Sequence, residues 1–218
     1  MSWRGRAGIV IWNGVVPGAQ AEFERWHDEE HIDERLAIPG FLGARRGLAI
    51  DGSGEYLTLY EVADADVITH GAYPERLNAP TEWTRRTLPL FRGAARSLCR
   101  VAETSGGGMG EGGGDHLVAL RLPDGEALDA MTRADLWEEA ARLVAEGVLL
   151  GAALLLRDDA ASARRTAEHD LRAEHLATPA GALVGEADGE DAAITAATRL
   201  EIASPGASAG TYRLQTRR

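Results

Sequence analysis

Residues 20–41, QAEFERWHDEEHIDERLAIPGF, carry the reading of the fold. From Ala19 to about Ala37 the apolar residues recur at helical spacing, and Pro39 and Gly40 stop the pattern. On a wheel at roughly 100° per residue, Phe23, Trp26, His27, Glu30, Glu34, Ala37 and Ile38 share one stripe, with His31 at its edge. Large apolar residues on such a stripe mark the face that packs inward. Glu30 and one or both histidines are therefore expected to be partly withdrawn from water.

On either side of this helix the sequence reads as strands. Ala7 to Val16 precedes it, closed by Pro17 and Gly18. Phe41 to Ile50 follows, then a hairpin turn at Asp51-Gly-Ser-Gly54 and an alternating strand at Tyr56 to Val62. A helical region from Asp64 to about Leu88 is interrupted by Pro74 and Pro80, and Ala94 to Ala102 closes the half as a strand. The order β-α-β-β-α-β is the split unit of a ferredoxin-like fold. Ser105 to Gly114, SGGGMGEGGG, is too rich in glycine to order itself cheaply and reads as a linker; its G-x-G-x-x-G match (Gly108, Gly110, Gly113) precedes a strand rather than a helix. The same order is traceable afterwards: strand His116 to Leu122, helix Arg133 to Glu146, strand Val148 to Arg157, a polar insertion from Asp158 to Pro179, strand Gly181 to Ala187, helix Glu190 to Ala197 and strand Tyr212 to Thr216. The expected division is 1–104, a ferredoxin-like half carrying the site; 105–114, linker; and 115–218, a degenerate ferredoxin-like half. Each half has a sheet face its helices do not cover. Two such faces can be buried against each other in a barrel-like core with room for a ligand inside.

Composition excludes several functions. All 23 basic residues are arginine, which removes Walker A, Schiff-base and lysine-nucleophile chemistry. A net charge of −11 speaks against nucleic acid or an anionic membrane as partner. Cys99 stands alone, so no internal disulfide or cysteine-rich zinc site forms. The longest apolar run, 147–156, is well short of the roughly 20 residues that span a bilayer, and no secretory segment opens the chain. The expectation is a cytoplasmic protein whose partner is a small organic molecule.

A carboxylate held on an inward stripe has its pKa raised by desolvation, and an imidazole beside it is drawn toward its protonated form. Glu30 and His31 are thus candidates for a general acid or base. The plainer alternative is a solvated acidic helix in which Glu30 pairs with Arg45 or Arg46. His27-Asp-Glu-Glu30-His31 also matches H-x-x-E-H, but no second motif supplies a third ligand, and no metal is expected. Tyr56, Thr58 and Tyr60 share a strand face near Arg45, while Tyr73, Trp83 and Phe91 add aromatic bulk; core is the ordinary role for such residues. In the second half the matching helix places Ala134, Trp137, Ala140, Ala141 and Val144 inward, none titratable, so one pocket per chain is expected.

The run Phe23-x-x-Trp26-His27-x-x-Glu30-His31-x-x-Glu34-Arg35, followed by Ile38-Pro39-Gly40-Phe41, Ala44-Arg45-Arg46 and Tyr56-Leu57-x-Leu59-Tyr60-Glu61, resembles the dimeric α/β-barrel superfamily, in particular EthD-like and related uncharacterised proteins. Ala72-Tyr73 and Pro80-Thr81-x-Trp83-Thr84 fit the same pattern, and the likeness covers about residues 5 to 102. The resemblance implies an α+β fold of two tandem ferredoxin-like βαββαβ units packing sheet to sheet as an intramolecular dimeric α/β barrel, a pseudo-dimer that leaves open a further homodimer. It implies a pocket between sheet and helices, with the helix histidine at His31 as the active residue. It also implies cofactor-free chemistry on small aromatic or polyketide-like molecules: isomerisation, cyclisation, decarboxylation or oxygenation. On that reading His31 and Glu30 are catalytic, and His27, Arg45, Tyr60, Trp26 and Trp83 contact the substrate. Two alternatives are a non-catalytic binder of haem or another metabolite, with His31 or His27 as axial ligand, and a catalytically dead structural subunit.

Overall fold

The computed structural model describes residues 3–107, 113–123 and 129–218. Eight antiparallel strands close a barrel: β1 (Ala7–Val15), β2 (Phe41–Ala49), β3 (Tyr56–Val62), β4 (Phe91–Gly106), β5 (His116–Arg121), β6 (Gly151–Arg157), β7 (Gly181–Ala187) and β8 (Ser208–Arg217). The order around the barrel is β1-β3-β2-β8-β5-β7-β6-β4. Each βαββαβ unit contributes a four-stranded sheet, and the two sheets join edge to edge where β2 meets β8 and β4 meets β6. The fold is that of the dimeric α/β barrel, formed here by one chain.

β4 is longer than the sequence suggested, because its last residues pair with β6: Ser105 lies opposite Ala152 and Gly106 opposite Gly151. The first residues of the expected linker are therefore strand, and 108–112, with most of the glycine motif, lie outside the described residues.

Strand alternation separates two environments. Val10, Trp12, Leu57, Leu59, Leu117, Leu155, Val184 and Tyr212 point into the barrel and fill it. The interior is thus packed core, correcting the expectation of a ligand space there. At one end of this core Arg45 is held by Glu61 at 2.6 Å and Glu186 at 2.7 Å. The other strand faces carry helices. Those of the second unit are α6 (Ala130–Ala145) and α9 (Glu190–Ala203), over Val118, Leu120, Leu154 and Leu183. The inward residues of α6 are Leu136, Ala140 and Leu143, with Trp137 and Val144 at the margin, a stripe rotated by about one residue from the expected one.

Over the first unit runs a continuous helical segment: α1 (Gln20–Trp26), one π-turn (His27–His31) and α2 (Ile32–Leu36). The turn is identified by the Ile32 N–H, which donates to the His27 carbonyl five residues back. The segment ends at Pro39-Gly40, where glycine takes φ 97° to turn the chain into β2. The second helical region divides into α3 (Ala65–Thr69), α4 (Ala72–Asn78) and α5 (Glu82–Thr87). Between β6 and β7 the insertion forms α7 (Asp159–Ser162) and α8 (Ala167–Asp170), folded back onto the first unit. Among the described residues no helix is long and apolar enough to cross a membrane.

Candidate active site between helix and sheet

One extra residue in a helical turn sets everything beyond it back by roughly 100°. The π-turn does this in mid-segment, and it decides which side chains enter the protein. Phe23, Trp26, His27, His31, Ile32 and Arg35 are buried, whereas Glu30 and Glu34 are half-buried and Ala37 is exposed. The expected stripe holds up to His27; beyond it Glu30, Glu34 and Ala37 lie off the buried face, and only Ile38 returns to it. His31 moves from the edge of the stripe to its centre, and Glu30 turns aside. Glu30 accepts hydrogen bonds from Thr81 Oγ1 at 2.6 Å and Thr84 Oγ1 at 3.4 Å, tying α5 to the segment. It pairs with neither His31, Arg45 nor Arg46.

The buried face looks onto the outer side of the first sheet and encloses a pocket. Its walls include Ile9, Ile11 and Asn13 from β1, Thr58 and Tyr60 from β3, Arg96 from β4, and Phe23, Trp26, His27, His31 and Arg35 from the helical segment. Tyr73, Leu77, Leu88 and Phe91 close one side, and Glu168 and Arg172 of the insertion close another. About 480 Å³ lies between atoms here, open mouth included, but only about 30 Å³ can be reached by the centre of a water molecule. At roughly 10–15 Å³ per water by that measure, the closed pocket holds two or three waters.

His27 accepts a hydrogen bond from Arg46 Nη1 at its Nδ1, 3.1 Å away. Guanidinium only donates, so the bond makes His27 a neutral imidazole carrying its proton on Nε2. Two further bonds, at 3.0 and 2.9 Å, fix Arg46 to Asp28. The His27 ring stacks on Phe23 (5.4 Å) and on His31 (5.6 Å), and His31 lies 4.2 Å from the Trp26 ring. Among the described residues His31 Nδ1 has no hydrogen-bond partner and is sealed from solvent, and so is the Tyr60 hydroxyl. Burial holds both imidazoles well below the ordinary histidine range; Arg46 and Arg35 add to this at His27, and Arg35, His27 and Arg172 at His31. The sequence suggested an imidazole drawn toward protonation by Glu30. The opposite holds, because burial disfavours the charged form and the nearby guanidinium groups add to it. Burial raises the Tyr60 phenol in turn, keeping it protonated.

Of the other expected contacts, Trp26, His27 and Tyr60 line the pocket. Arg45 does not: it projects into the barrel, on the opposite face of the sheet from Tyr60. Trp83 also lies elsewhere, its indole donating to Glu22 at 2.8 Å beneath Arg25. Four charged residues that the sequence did not single out do line it. Arg35 is held by Glu168 at 2.5 Å and Glu34 at 3.1 Å; Arg96 comes from β4; Arg172 lies over the Phe91 ring, 5.4 Å from its centroid. Burial, then the charge of Arg96, lowers the Arg172 pKa to about 10. A signal for Arg96 existed: it sits between Ala94 and Leu98 on the buried face of β4.

Among the described residues no cluster of three or more His, Cys, Asp or Glu is placed to hold a metal ion. Nor does the donor set fit haem. His27 presents an N–H at its remaining nitrogen, and His31 Nδ1 lacks the carbonyl or carboxylate that orients a ligating imidazole.

No known protein family's sequence pattern matches the chain. Nor does any curated protein match it. Solved structures share its fold. An anthrone oxidase-like protein is 15% identical with a TM-score of 0.62, over 100% of this chain and 95% of that one. A protein from Fusobacterium nucleatum provisionally described as a monooxygenase is 9% identical with a TM-score of 0.61, over 98% and 94%. A chlorite dismutase mutant from Candidatus Nitrospira defluvii, in complex with cyanide, is 9% identical with a TM-score of 0.51, over 94% and 90%.

Proposed function

We propose that the chain is an enzyme that moves a proton to or from a small conjugated organic molecule in the pocket between the helical segment and the first sheet, without a bound cofactor. The observation that carries this reading is His31: a neutral imidazole with a partnerless nitrogen, shut in a pocket of aromatic rings beside a partnerless tyrosine hydroxyl. A neutral imidazole takes a proton. Surrounded by Arg35 and Arg172 it resists holding that proton unless a negative charge forms beside it. Proton abstraction from a carbon next to a carbonyl, or from a phenol, forms such a charge as enolate or phenolate, and the Tyr60 hydroxyl can donate a hydrogen bond to it. An enolate of this kind is the shared intermediate of isomerisation and of direct reaction with dioxygen. Glu30 has no part in this chemistry; its carboxylate is committed to Thr81 and Thr84.

The test is a panel of enolisable aromatic ketones and phenols, with anthrone included because a protein of the same fold is described as anthrone oxidase-like. Exchange of the acidic C–H in deuterated water without oxygen reads the proton step. With oxygen, anthrone and O₂ give anthraquinone and water. His31→Ala is expected to lose about 10²-fold or more of either rate. Undiminished exchange in that variant would sink the assignment. Saturable binding with no exchange across the panel would favour a non-catalytic binding protein.

A further inference from the structure

The chain carries a net charge of −11, yet the ionised side chains lining this pocket are three arginines, Arg35, Arg96 and Arg172, and one carboxylate, Glu168. Glu168 is committed to Arg35. Both pocket histidines are neutral. That leaves Arg96, 5% exposed, and the half-buried Arg172, whose Nε and Nη1 are sealed from solvent with no acceptor among the described residues. Among the described residues neither guanidinium has an ion-pair partner, and after burial the charge of Arg96 is the largest unfavourable influence on Arg172. Guanidinium groups whose N–H donors are shut from water without an acceptor destabilise a fold unless an anion joins them. The face of Arg172 rests on Phe91, which meets Phe23 edge-on at 5.5 Å and Trp26 at 6.1 Å, so the free N–H groups border an aromatic wall.

We infer that the pocket is a receptor for a small aromatic anion, whose charged oxygen lies against Arg172 and Arg96 and whose ring lies along Phe91 and Trp26. The inference rests on the proton-transfer reading and adds the charge of its substrate: a carboxylate or a stabilised enolate or phenolate. Arg172 belongs to the second unit's insertion, which is fastened to the first unit by Ala167 N–H to Asn78 Oδ1 (3.0 Å), Arg35 to Glu168 (2.5 Å) and Gly93 N–H to Glu174 (2.8 Å). With space for only a few waters, the pocket admits a ring when this segment shifts outward. The anion then replaces the missing counter-charge as the segment closes.

Benzoate and benzamide have nearly the same size and shape and differ in charge. Both are titrated at constant ionic strength, following melting temperature and the fluorescence of pocket Trp26. Benzoate is expected to stabilise the wild type saturably and to change the fluorescence; benzamide and chloride are not. Arg172→Met is expected to weaken benzoate binding about ten- to hundredfold, the range for a charge-assisted hydrogen bond. Without ligand it should melt no lower than the wild type, since among the described residues the arginine it removes has no ion-pair partner and methionine keeps apolar contact with Phe91; a purely structural arginine would lower it. Arg172→Lys should bind between the two, and Arg96→Met should repeat the loss if Arg172→Met is poorly folded. Equal binding of benzamide, equal stabilisation by chloride, no saturable benzoate binding, or unchanged affinity in both methionine variants overturns the inference. None of these readings involves turnover. A His31→Ala variant that binds benzoate normally and exchanges at the wild-type rate would refute the proton-transfer role alone.

Discussion

Glu168→Gln removes the one carboxylate lining the pocket and tests whether the insertion is part of the site. The side chains of Arg35 and Glu168 are 3% and 4% exposed, so the pair is buried on both sides. Breaking a buried pair by deleting one partner costs about 3–5 kcal/mol, because the remaining charge is left uncompensated. Here the loss falls at the lower end, since Glu34 stays 3.1 Å from the other side of Arg35 and is itself 13% exposed. A loss of about 3 kcal/mol over 218 residues corresponds to a fall in melting temperature of roughly 6 °C, taking an unfolding entropy near 0.5 kcal/mol/K for this length. Calorimetry and urea unfolding at pH 7 read it. The double variant Arg35→Met with Glu168→Met restores most of the stability, because an apolar pair of similar volume has no charge to desolvate. A loss under about 1 kcal/mol in Glu168→Gln, or a double variant as unstable as the single, would show that the insertion does not close over the pocket as described.

Three further outcomes follow from the same geometry. His27 and His31 have folded-state pKa values well below the ordinary one, so as pH falls below about 6.5 the unfolded chain binds protons that the folded chain does not. Their contribution is complete above that pH and is lost as pH drops toward the folded values, at up to about 2.7 kcal/mol per pH unit for the two together. Urea unfolding at pH 7, 6 and 5 should show this slope, and His27→Gln with His31→Gln should flatten it; an unchanged slope contradicts the burial. Glu30→Gln loses about 1 kcal/mol from its threonine contacts and leaves turnover within about twofold; a hundredfold fall in turnover would return Glu30 to the chemistry. Arg45→Met destabilises by about 3 kcal/mol, because Glu61 and Glu186, both fully buried, lose a shared partner. Its benzoate affinity should not change, and a tenfold loss would mean Arg45 faces the pocket after all.

The two βαββαβ units were legible because strand alternation and the Pro-Gly and Gly-rich turns are local signals. The strand Gly181–Ala187 was read to the residue and the other strands to within a few residues, but the last helix, read to Ala197, runs on to Ala203, and the region from Asp64 to Leu88 is three helices. The phase of the central helix was not legible. A wheel assumes one angle per residue, and nothing in HDEEH announces a π-turn. Phe23, His27, His31 and Arg35 recur at every fourth position, a series that a regular helix would carry off the inward face and that the wider turn keeps on it. The insertion was misread for a different reason. Its composition is that of a solvated loop, yet Glu168 within it is 3% exposed and paired with Arg35, 133 residues away in sequence. Pairings that remote leave no periodic trace.

Strand order puts the insertion over this pocket. In the barrel β6 lies beside β4, so the connection between β6 and β7 emerges over the first unit's helical face. The equivalent connection in the first unit, the short turn between β2 and β3, emerges beside β8; there Glu55 accepts hydrogen bonds from Tyr212 at 2.7 Å and Arg121 at 2.8 Å. Two identical chains would carry the long connection on both sides or on neither. Two units in one chain can differ: beneath α6 and α9 the space between helix and sheet is filled by Leu136, Leu143, Leu154 and Leu183, while beneath α1 and α2 it holds the small pocket with His27, His31 and Arg35. The second unit therefore adds Arg172 and Glu168 to a lining that already holds Arg35 and Arg96 of the first. Removing residues 158–179 should accordingly abolish benzoate binding more completely than any single substitution in the first unit, although His27, His31 and Tyr60 would all remain.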